Sequence, residues 1–190
     1  MLQHAFKEWA VICEGLGQGQ QAIILRKGGI DEEAGEFAVD QNRFWLYPTY
    51  VHQQDEGIQE DARPLLQQVQ ANRPPAGKVR LQWWAEVETI YRIREELPAL
   101  LLMHLHIWSE ETVRKRFNYR EPGIYLLLVR VHRAPAVHEI TELPAYEGCR
   151  SWVELETPLP TEGSTPVLDD ASFRIVRKQI DMLLSPTAFA

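Results

Sequence analysis

Two segments of this chain place the strongest constraint on its fold, because both have the hydrophobic pattern of β-strands. Apolar and polar residues alternate over residues 78–88, which is the period of a strand with one buried face. This alternation places Trp83 on the apolar face and Trp84 on the polar, exposed face. Residues 124–131 are instead almost continuously apolar, as is typical of a central strand covered on both faces. The sequence therefore predicts a β-sheet at the centre of the fold.

Segments with helical periodicity accompany these strands. Apolar residues recur at three- and four-residue spacing from residue 2 to residue 16, which predicts an N-terminal helix ended by Gly15 and Gly17. The other predicted helices are 61–72 with Pro64 in its first turn, 95–102, 110–119 behind the N-cap residue Ser109, and 170–184. Shorter strands are predicted at 22–25, 43–52, 137–143 and 151–155. The pattern is that of an α+β fold with a central sheet, flanking helices, and helices at both the N-terminus and the C-terminus.

The composition is consistent with one domain and with a limited kind of partner. With 190 residues and 45% hydrophobic content the chain can bury a sizeable core, so we expect residues 1–190 to form a single domain. Lys and Arg number 20 and Asp and Glu number 27, which gives a net charge of −7. Such a molecule repels a polyanion at long range. Any contact with nucleic acid must then use a local positive patch.

The sequence contains no signal for export or membrane insertion. Cys13 and Cys149 are too few for a disulfide framework and lack zinc-type spacing, so we expect reduced thiols. The N-terminus has no signal-peptide pattern, and no apolar stretch approaches the roughly 18 residues of a membrane span. We therefore expect a cytoplasmic location.

The junction between the strand at 22–25 and the following residues is the strongest site candidate. Arg26 and Lys27 supply positive charge, and Gly28 and Gly29 can adopt positive φ and turn their N–H groups toward an anion. The alternative is a strand that ends in a solvated cationic turn. The polar, acidic segment 30–42 that follows is predicted to be a long loop, and loops of that length are often functional.

Aromatic residues cluster in the next strand. The aromatic residues Phe44, Trp45, Tyr47 and Tyr50 could stack on exposed bases, with Arg43 and His52 beside them. The alternative is ordinary core packing, which large aromatic residues commonly dominate. A second basic and aromatic segment covers residues 114–120, where a solvated helix face is favoured over a phosphate contact because acids at neighbouring positions dilute its charge.

Motifs for catalysis, cofactors and metals are absent from the sequence. There is no Gly-x-Ser-x-Gly or His-Glu-x-x-His motif, and neither a Walker loop nor a dinucleotide-binding loop, so we predict no cofactor. His104 and His106 could share a strand face and bind a metal with His132 or His138, but no carboxylate lies at motif spacing, so core histidines are favoured and no metal site is predicted. His52 is the remaining acid–base candidate, without a recognisable nucleophile partner.

Three blocks of sequence together resemble an uncharacterised bacterial family. They are Glu-Trp-Ala-Val-Ile-Cys-Glu at 8–14, Leu-Arg-Lys-Gly-Gly-Ile at 25–30 and Phe-Trp-Leu-Tyr-Pro-Thr-Tyr-Val-His-Gln at 44–53, with Gly-Cys-Arg-Ser-Trp at 148–152 further along. The family is domain of unknown function family 1802. The resemblance implies a bacterial, often cyanobacterial, protein and an association with a restriction-endonuclease-like domain. It thus implies a partner nuclease and a role in DNA restriction or defence, but no functional residues.

A fainter resemblance concerns residues 131–137, 140–142 and 148–152, whose order is similar to the small RNA-associated barrels of the PUA and ASCH type. This implies a mostly antiparallel, barrel-like sheet. It is a fold analogy and does not by itself establish a function.

Three functions remain open from the sequence. The first is a non-catalytic module for DNA or RNA, in which Arg26, Lys27, Gly28 and Gly29 hold a phosphate while Arg43, Trp45, Tyr47 and Tyr50 contact a base or sugar. The second is an enzyme that acts on a small nucleotide or phosphorylated ligand with His52 as proton carrier. The third is a scaffold for a protein partner, which would show an exposed apolar patch around Trp84 or on the C-terminal helix.

Overall fold

The computed structural model describes residues 1–27, 42–51, 53–148 and 151–184. Within these ranges the chain forms seven strands and five α-helices. The strands are β1 (Leu2–Trp9), β2 (Ile23–Arg26), β3 (Arg43–Thr49), β4 (Lys78–Ile93), β5 (Ile124–Thr141), β6 (Trp152–Leu159) and β7 (Thr165–Pro166). The helices are α1 (Ala10–Gly17), α2 (Arg63–Ala71), α3 (Glu96–Leu101), α4 (Glu110–Asn118) and α5 (Asp170–Leu184).

All seven strands belong to one sheet. Its order is β2-β5-β4-β3-β1-β6, and the short strand β7 pairs with β5. Neighbouring strands are antiparallel except β1 and β3, which run parallel. Over the described residues the two ends of this path, β2 and β6, do not pair with each other. The predicted α+β fold, with a mostly antiparallel central sheet and flanking helices, is confirmed.

The first strand corrects the predicted N-terminal helix. Residues Leu2–Trp9 form β1, and the helix α1 begins only at Ala10, although it ends at Gly17 as expected. β1 pairs with β3 on one side and with β6 on the other, and the neighbours Ala5 and Phe6 are both fully buried. A strand covered on both faces need not alternate, so its apolar positions also matched a helical period. Non-local pairing decided between the two structures.

A register shift between β4 and β5 overturns the predicted exposure of Trp84. The pairing register with β5 shifts between Leu81 and Trp83, which inverts the alternation beyond that point. Trp84 is therefore only 8% exposed, and its ring stacks on His132 with 4.0 Å between centroids. Its indole N–H donates to Ser164 Oγ at 2.9 Å. The apolar patch predicted around Trp84 for a protein-docking scaffold is thus covered, whereas α5, the other predicted place for such a patch, exposes Ile175 by 58% and Met182 by 69%.

The remaining elements lie close to their predicted positions. Pro64 stands in the first turn of α2, and Ser109 caps α4 by accepting a hydrogen bond from the Thr112 N–H at 3.3 Å. β5 joins two segments that the sequence predicted as separate strands. Pro48 is tolerated in β3 because the pairing of β3 with β4 ends at Trp45.

The sheet separates two hydrophobic clusters. The larger cluster contains Phe6 and Leu46 together with the apolar faces of the helices, while the smaller contains Ala5 and Trp45, their neighbours in the chain. Successive strand residues thus point into different cores, and the centre of the sheet is buried on both sides. Among the described residues no helix is long and apolar enough to cross a bilayer.

Candidate functional site

A cleft of about 620 Å³ opens where the parallel strands β1 and β3 end. Parallel neighbours finish at the same edge of a sheet, so Glu8 and Trp9 lie beside Pro48 and Thr49. The connector from α2 to β4, residues 73–78, forms one wall, and residues after β5 form the other. We call this the β1/β3 cleft.

The floor of the β1/β3 cleft is a buried ion cluster. Glu8 is 3% exposed and lies between two arginines: Arg26 Nε is 3.6 Å from its Oε2, and Arg116 Nη2 is 3.8 Å from its Oε1. The Trp9 N–H donates to Glu8 Oε1 at 2.9 Å. Two cations and one anion leave the floor with one uncompensated positive charge, which the surrounding apolar rings screen poorly.

Backbone carbonyls and aromatic rings fix the two arginines. Arg116 donates to the Leu25 carbonyl at 2.9 Å, and Arg26 donates to the Lys7 carbonyl. The Arg26 guanidinium lies 4.3 Å from the centroid of the Phe6 ring, a cation–π contact. Burial lowers the pKa of Arg116, and the charge of Glu8 acts in the opposite direction. The guanidinium groups are therefore held in place before any ligand arrives.

The rim of the cleft carries two exposed cations on a short connector. Arg73 and Lys78 bracket a Pro-Pro-Ala-Gly segment in which Gly77 has a φ of +75°, a value that favours glycine. The Arg73 guanidinium lies 4.9 Å from the centroid of the Tyr50 ring. Lys78 Nζ donates to Thr141 Oγ1 at 3.3 Å. Neither residue forms an ion pair within the part of the chain that the structure describes, so both charges remain available to a ligand.

Tyrosines and acids complete the walls. Tyr47 donates its hydroxyl to Glu142 Oε1 at 3.3 Å, and burial raises the pKa of Tyr47 above its usual value. Tyr146 accepts a hydrogen bond from the Glu156 N–H at 2.8 Å. The cations that line the cleft are Lys7, Arg26, Arg73, Lys78 and Arg116, and the acids are Glu8, Glu142 and Glu147. Counted over the described residues, the lining of the cleft is thus positive by two charges in a chain whose net charge is −7.

Three of the residues predicted from the sequence meet in this cleft. Arg26 contributes to the floor, while Tyr47 and Tyr50 line the walls. The predicted anion cradle at the following turn involves Gly28 and Gly29, which lie outside the described residues, as do His52 and most of the loop at 30–42.

Three other predicted residues lie elsewhere. Lys27 Nζ donates to the carbonyls of Phe117 and Gly123, each at 2.8 Å, and burial lowers the pKa of Lys27. Arg43 pairs with Glu86 at 2.9 Å on the sheet surface. Trp45 is fully buried in the smaller cluster, where its indole N–H donates to the Leu2 carbonyl at 3.3 Å. In this arrangement Trp45 cannot stack on a base, and Lys27 has a structural role.

The structure adds cleft residues that the sequence reasoning missed. Arg116 lies in the basic segment 114–120, whose other members behave as predicted: Arg114 pairs with Glu96 and Glu110 on the surface. Of the four cations in this segment, only Arg116 turns inward. Arg73 and Lys78 had a visible signal, since two cations that flank a rigid connector present their charges together. Glu8 had no local signal, because its partners come from β2 and α4.

The four histidines considered as metal ligands are dispersed. His104 is exposed, His106 is buried beside Trp108, His132 stacks on Trp84, and His138 lies edge-on to Trp45. Within residues 1–27, 42–51, 53–148 and 151–184 no group of three or more His, Cys, Asp or Glu side chains could hold a metal ion.

The fold is similar to solved structures of ASCH from Zymomonas mobilis. The crystal structure of ASCH has a TM-score of 0.46 and 14% identity, and the match covers 92% of this chain and 93% of that one. Two single-site variants of the same protein each have a TM-score of 0.47, with 11% and 12% identity and coverage of 93% and 94% of this chain and 94% and 98% of theirs.

The sequence itself matches a family model but no curated protein. No curated protein is similar enough to this sequence to count as a relative. The family model described as Domain of unknown function (DUF1802) matches residues 5–179, nearly the whole sequence, and the chain belongs to that family.

Proposed function

We propose that the protein binds single-stranded nucleic acid in the β1/β3 cleft and does so without catalysing a reaction. The observation that carries this proposal is the local charge: the described residues that line the cleft sum to two positive charges, although the chain carries −7. A net-negative protein gains nothing for its solubility from gathering five cations in one concave surface. Such a gathering is what the recognition of a phosphate backbone requires.

Arg73 and Lys78 are the residues that we expect to contact phosphates. Both are exposed, and neither is neutralised by an acid in the described chain. The arginine presents a planar fork of donors suited to phosphate, and the lysine adds a compact point charge. Their connector contains two prolines, so ordering it costs little conformational entropy when a ligand binds.

The concave shape and the tyrosines favour a single strand over a duplex. A cleft of about 620 Å³ is in the size range of small-ligand pockets and can accept a base that has left its stack. A duplex hides the faces of its bases, whereas a single strand exposes them to aromatic side chains. Tyr50 lies half-buried at the wall with Arg73 beside it, so one base and the adjoining phosphate would have partners there.

In this proposal the floor arginines, Arg26 and Arg116, attract the anion without contacting its phosphates directly. Arg26 and Arg116 already share Glu8 and donate to backbone carbonyls, so a phosphate need not replace those contacts. Their fixed excess charge lowers the energy of an anion above them. Replacing Arg26 and Lys27 by alanine would mainly test folding, because both side chains hold the chain together.

The proposal is tested with the double variant Arg73→Ala/Lys78→Ala. Binding of short labelled RNA and DNA single strands is measured by fluorescence anisotropy at several salt concentrations. Loss of two phosphate contacts should weaken binding strongly and make the slope of log K against log salt shallower by about 1.4. The matched control is Arg63→Ala/Lys115→Ala, which removes two exposed cations outside the cleft and changes the net charge equally. Equal affinities for the two double variants would reject the proposal.

A second candidate function, an enzyme acting on a nucleotide, is favoured by one observation at Glu8. Its Oε2 accepts no hydrogen bond within the described residues although it is buried at the floor of the cleft. A carboxylate in such a position can carry a proton in catalysis. Incubation of the protein with mononucleotides and oligonucleotides, followed by product analysis, tests this function. Turnover by the unmodified protein that disappears in Glu8→Gln while binding persists would favour the enzyme function. Recovery of every nucleotide unchanged after incubation with the unmodified protein would reject that function.

A further inference from the structure

A second depression, of about 300 Å³, adjoins the β1/β3 cleft. Residues of α1, the end of α2 and β4 line it, and it shares Pro48 and Tyr50 with the cleft. The two concave surfaces therefore meet at the end of β3, with the ring of Tyr50 at the boundary. A ligand that extends past Tyr50 would enter the second depression.

The second depression offers hydrogen bonds rather than charge. Gln68, Asn72 and Gln82 line it, and within the described residues their side-chain amides have no protein partner. Its two charged residues are already engaged: Arg80 pairs with Glu139 at 3.1 Å, and Glu14 accepts from the Gln18 side chain at 2.8 Å. The surface thus presents neutral donors and acceptors, in contrast to the cationic cleft beside it.

An indole wall accompanies these amides. Trp83 lines the second depression, and its ring packs so closely on α1 that a Cβ at Gly17 would lie 2.2 Å from Cε2. The ring is thereby held in one position. Side-chain amides can pair with the edge of a base, and an aromatic wall suits its apolar surface. A sugar phosphate or a free phosphate would find no unpaired cation there.

We infer that the second depression binds the base of the next nucleotide along the same strand, so that the protein recognises at least two consecutive nucleotides. This inference rests on the proposed function of the cleft. Arg73 directly follows Asn72 in the chain and lies over Tyr50 at the boundary between the two surfaces. With one base in each depression, the phosphate that joins the two nucleotides lies near this guanidinium. The cleft then supplies charge, and the second depression supplies base selectivity.

The test compares ligands of increasing length on the full chain. Affinities are measured by titration calorimetry for a mononucleotide, a dinucleotide and a tetranucleotide, each as RNA and as DNA. We expect the dinucleotide to bind about tenfold more tightly than the mononucleotide, the gain expected from one well-paired base. In the double variant Asn72→Ala/Gln82→Ala this tenfold difference in affinity should disappear, while the affinity for the mononucleotide stays unchanged.

Matched variants make each outcome decisive. Gln67→Ala/Gln70→Ala removes two exposed amides of α2 that do not line the depression, and it should keep the tenfold difference between dinucleotide and mononucleotide. Equal binding of mononucleotide and dinucleotide to the unmodified protein would overturn the inference and leave the cleft proposal intact. An equal loss for both ligands in the Asn72→Ala/Gln82→Ala variant would also overturn it. No binding of any ligand would defeat the proposed function itself.

Discussion

His106 is an imidazole that the fold holds neutral. It is 4% exposed, its ring lies 5.3 Å from that of Trp108, and neither ring nitrogen has a hydrogen-bond partner in the described part of the chain. Burial above all, and then the charge of Arg116, lowers the pKa of His106 from 6.5 to about 3. A proton can therefore bind His106 easily only after unfolding, which links this one side chain to acid stability.

Replacement of His106 by leucine should make the free energy of unfolding depend less steeply on pH at acid pH. Because the folded pKa is below the unfolded value, this group's contribution is complete above pH 6.5 and is lost as pH falls toward 3. The loss approaches about 1.4 kcal/mol per pH unit within that window. Urea unfolding at a series of pH values should thus give a smaller slope for His106→Leu. The exposed His104→Leu is the control, and an identical slope in both variants would contradict the assignment.

At the scale of elements, Gly17 determines how closely α1 approaches β4. A Cβ at this position would lie 2.2 Å from the Trp83 ring, so Gly17→Ala must displace the indole or the helix end. Overpacking of this kind costs about 1–3 kcal/mol, which exceeds the helix propensity gained from alanine. Gly15→Ala in the same helix meets only the flexible end of Ile107 at 3.1 Å and should be nearly neutral.

Urea unfolding followed by tryptophan fluorescence distinguishes the two glycine variants. Gly17→Ala should lower the midpoint and change the native emission, because Trp83 moves. It should also remove the dinucleotide preference inferred for the second depression. Similar midpoints for Gly17→Ala and Gly15→Ala would show that the close contact of α1 with β4 does not limit packing.

The elements also indicate what the sequence can and cannot predict. Helices α2 to α5 were predicted because caps, prolines and a single apolar face are local signals. β1 was predicted as a helix because burial on both faces removes the alternation that marks a strand. The register shift after Leu81 reversed the predicted faces of Trp83 and Trp84, and such a shift depends on the partner strand β5. Arg26 was found as a cation at a strand end, but Glu8 and Arg116, which define its setting, come from distant parts of the chain.

At the scale of the whole molecule, the positive cleft lies on a negative body. The chain carries −7 overall, whereas the cleft lining, within the part of the chain that the structure describes, is positive by two charges. These two fields act over different distances. The repulsion from the body extends about as far as the Debye length, while contacts between rim cations and phosphates act at hydrogen-bond range. Binding of an anionic strand must therefore depend on salt in two opposite ways.

We expect the association rate of a short single strand to pass through a maximum as salt rises. At about 0.01 M salt the Debye length is about 30 Å, so the whole negative charge repels the approaching strand. Near 0.1 M it is about 10 Å, and only the cleft and its rim still act on the ligand. Above that concentration the contacts between cations and phosphates weaken. Binding must release counterions from the strand, and this release becomes less favourable as the salt concentration rises. Stopped-flow measurements should therefore show a rise followed by a fall, whereas a strand with an uncharged backbone should show neither. A rate that falls steadily from the lowest salt would mean that the positive cleft outweighs the body at every distance, contrary to the charge distribution described for this chain.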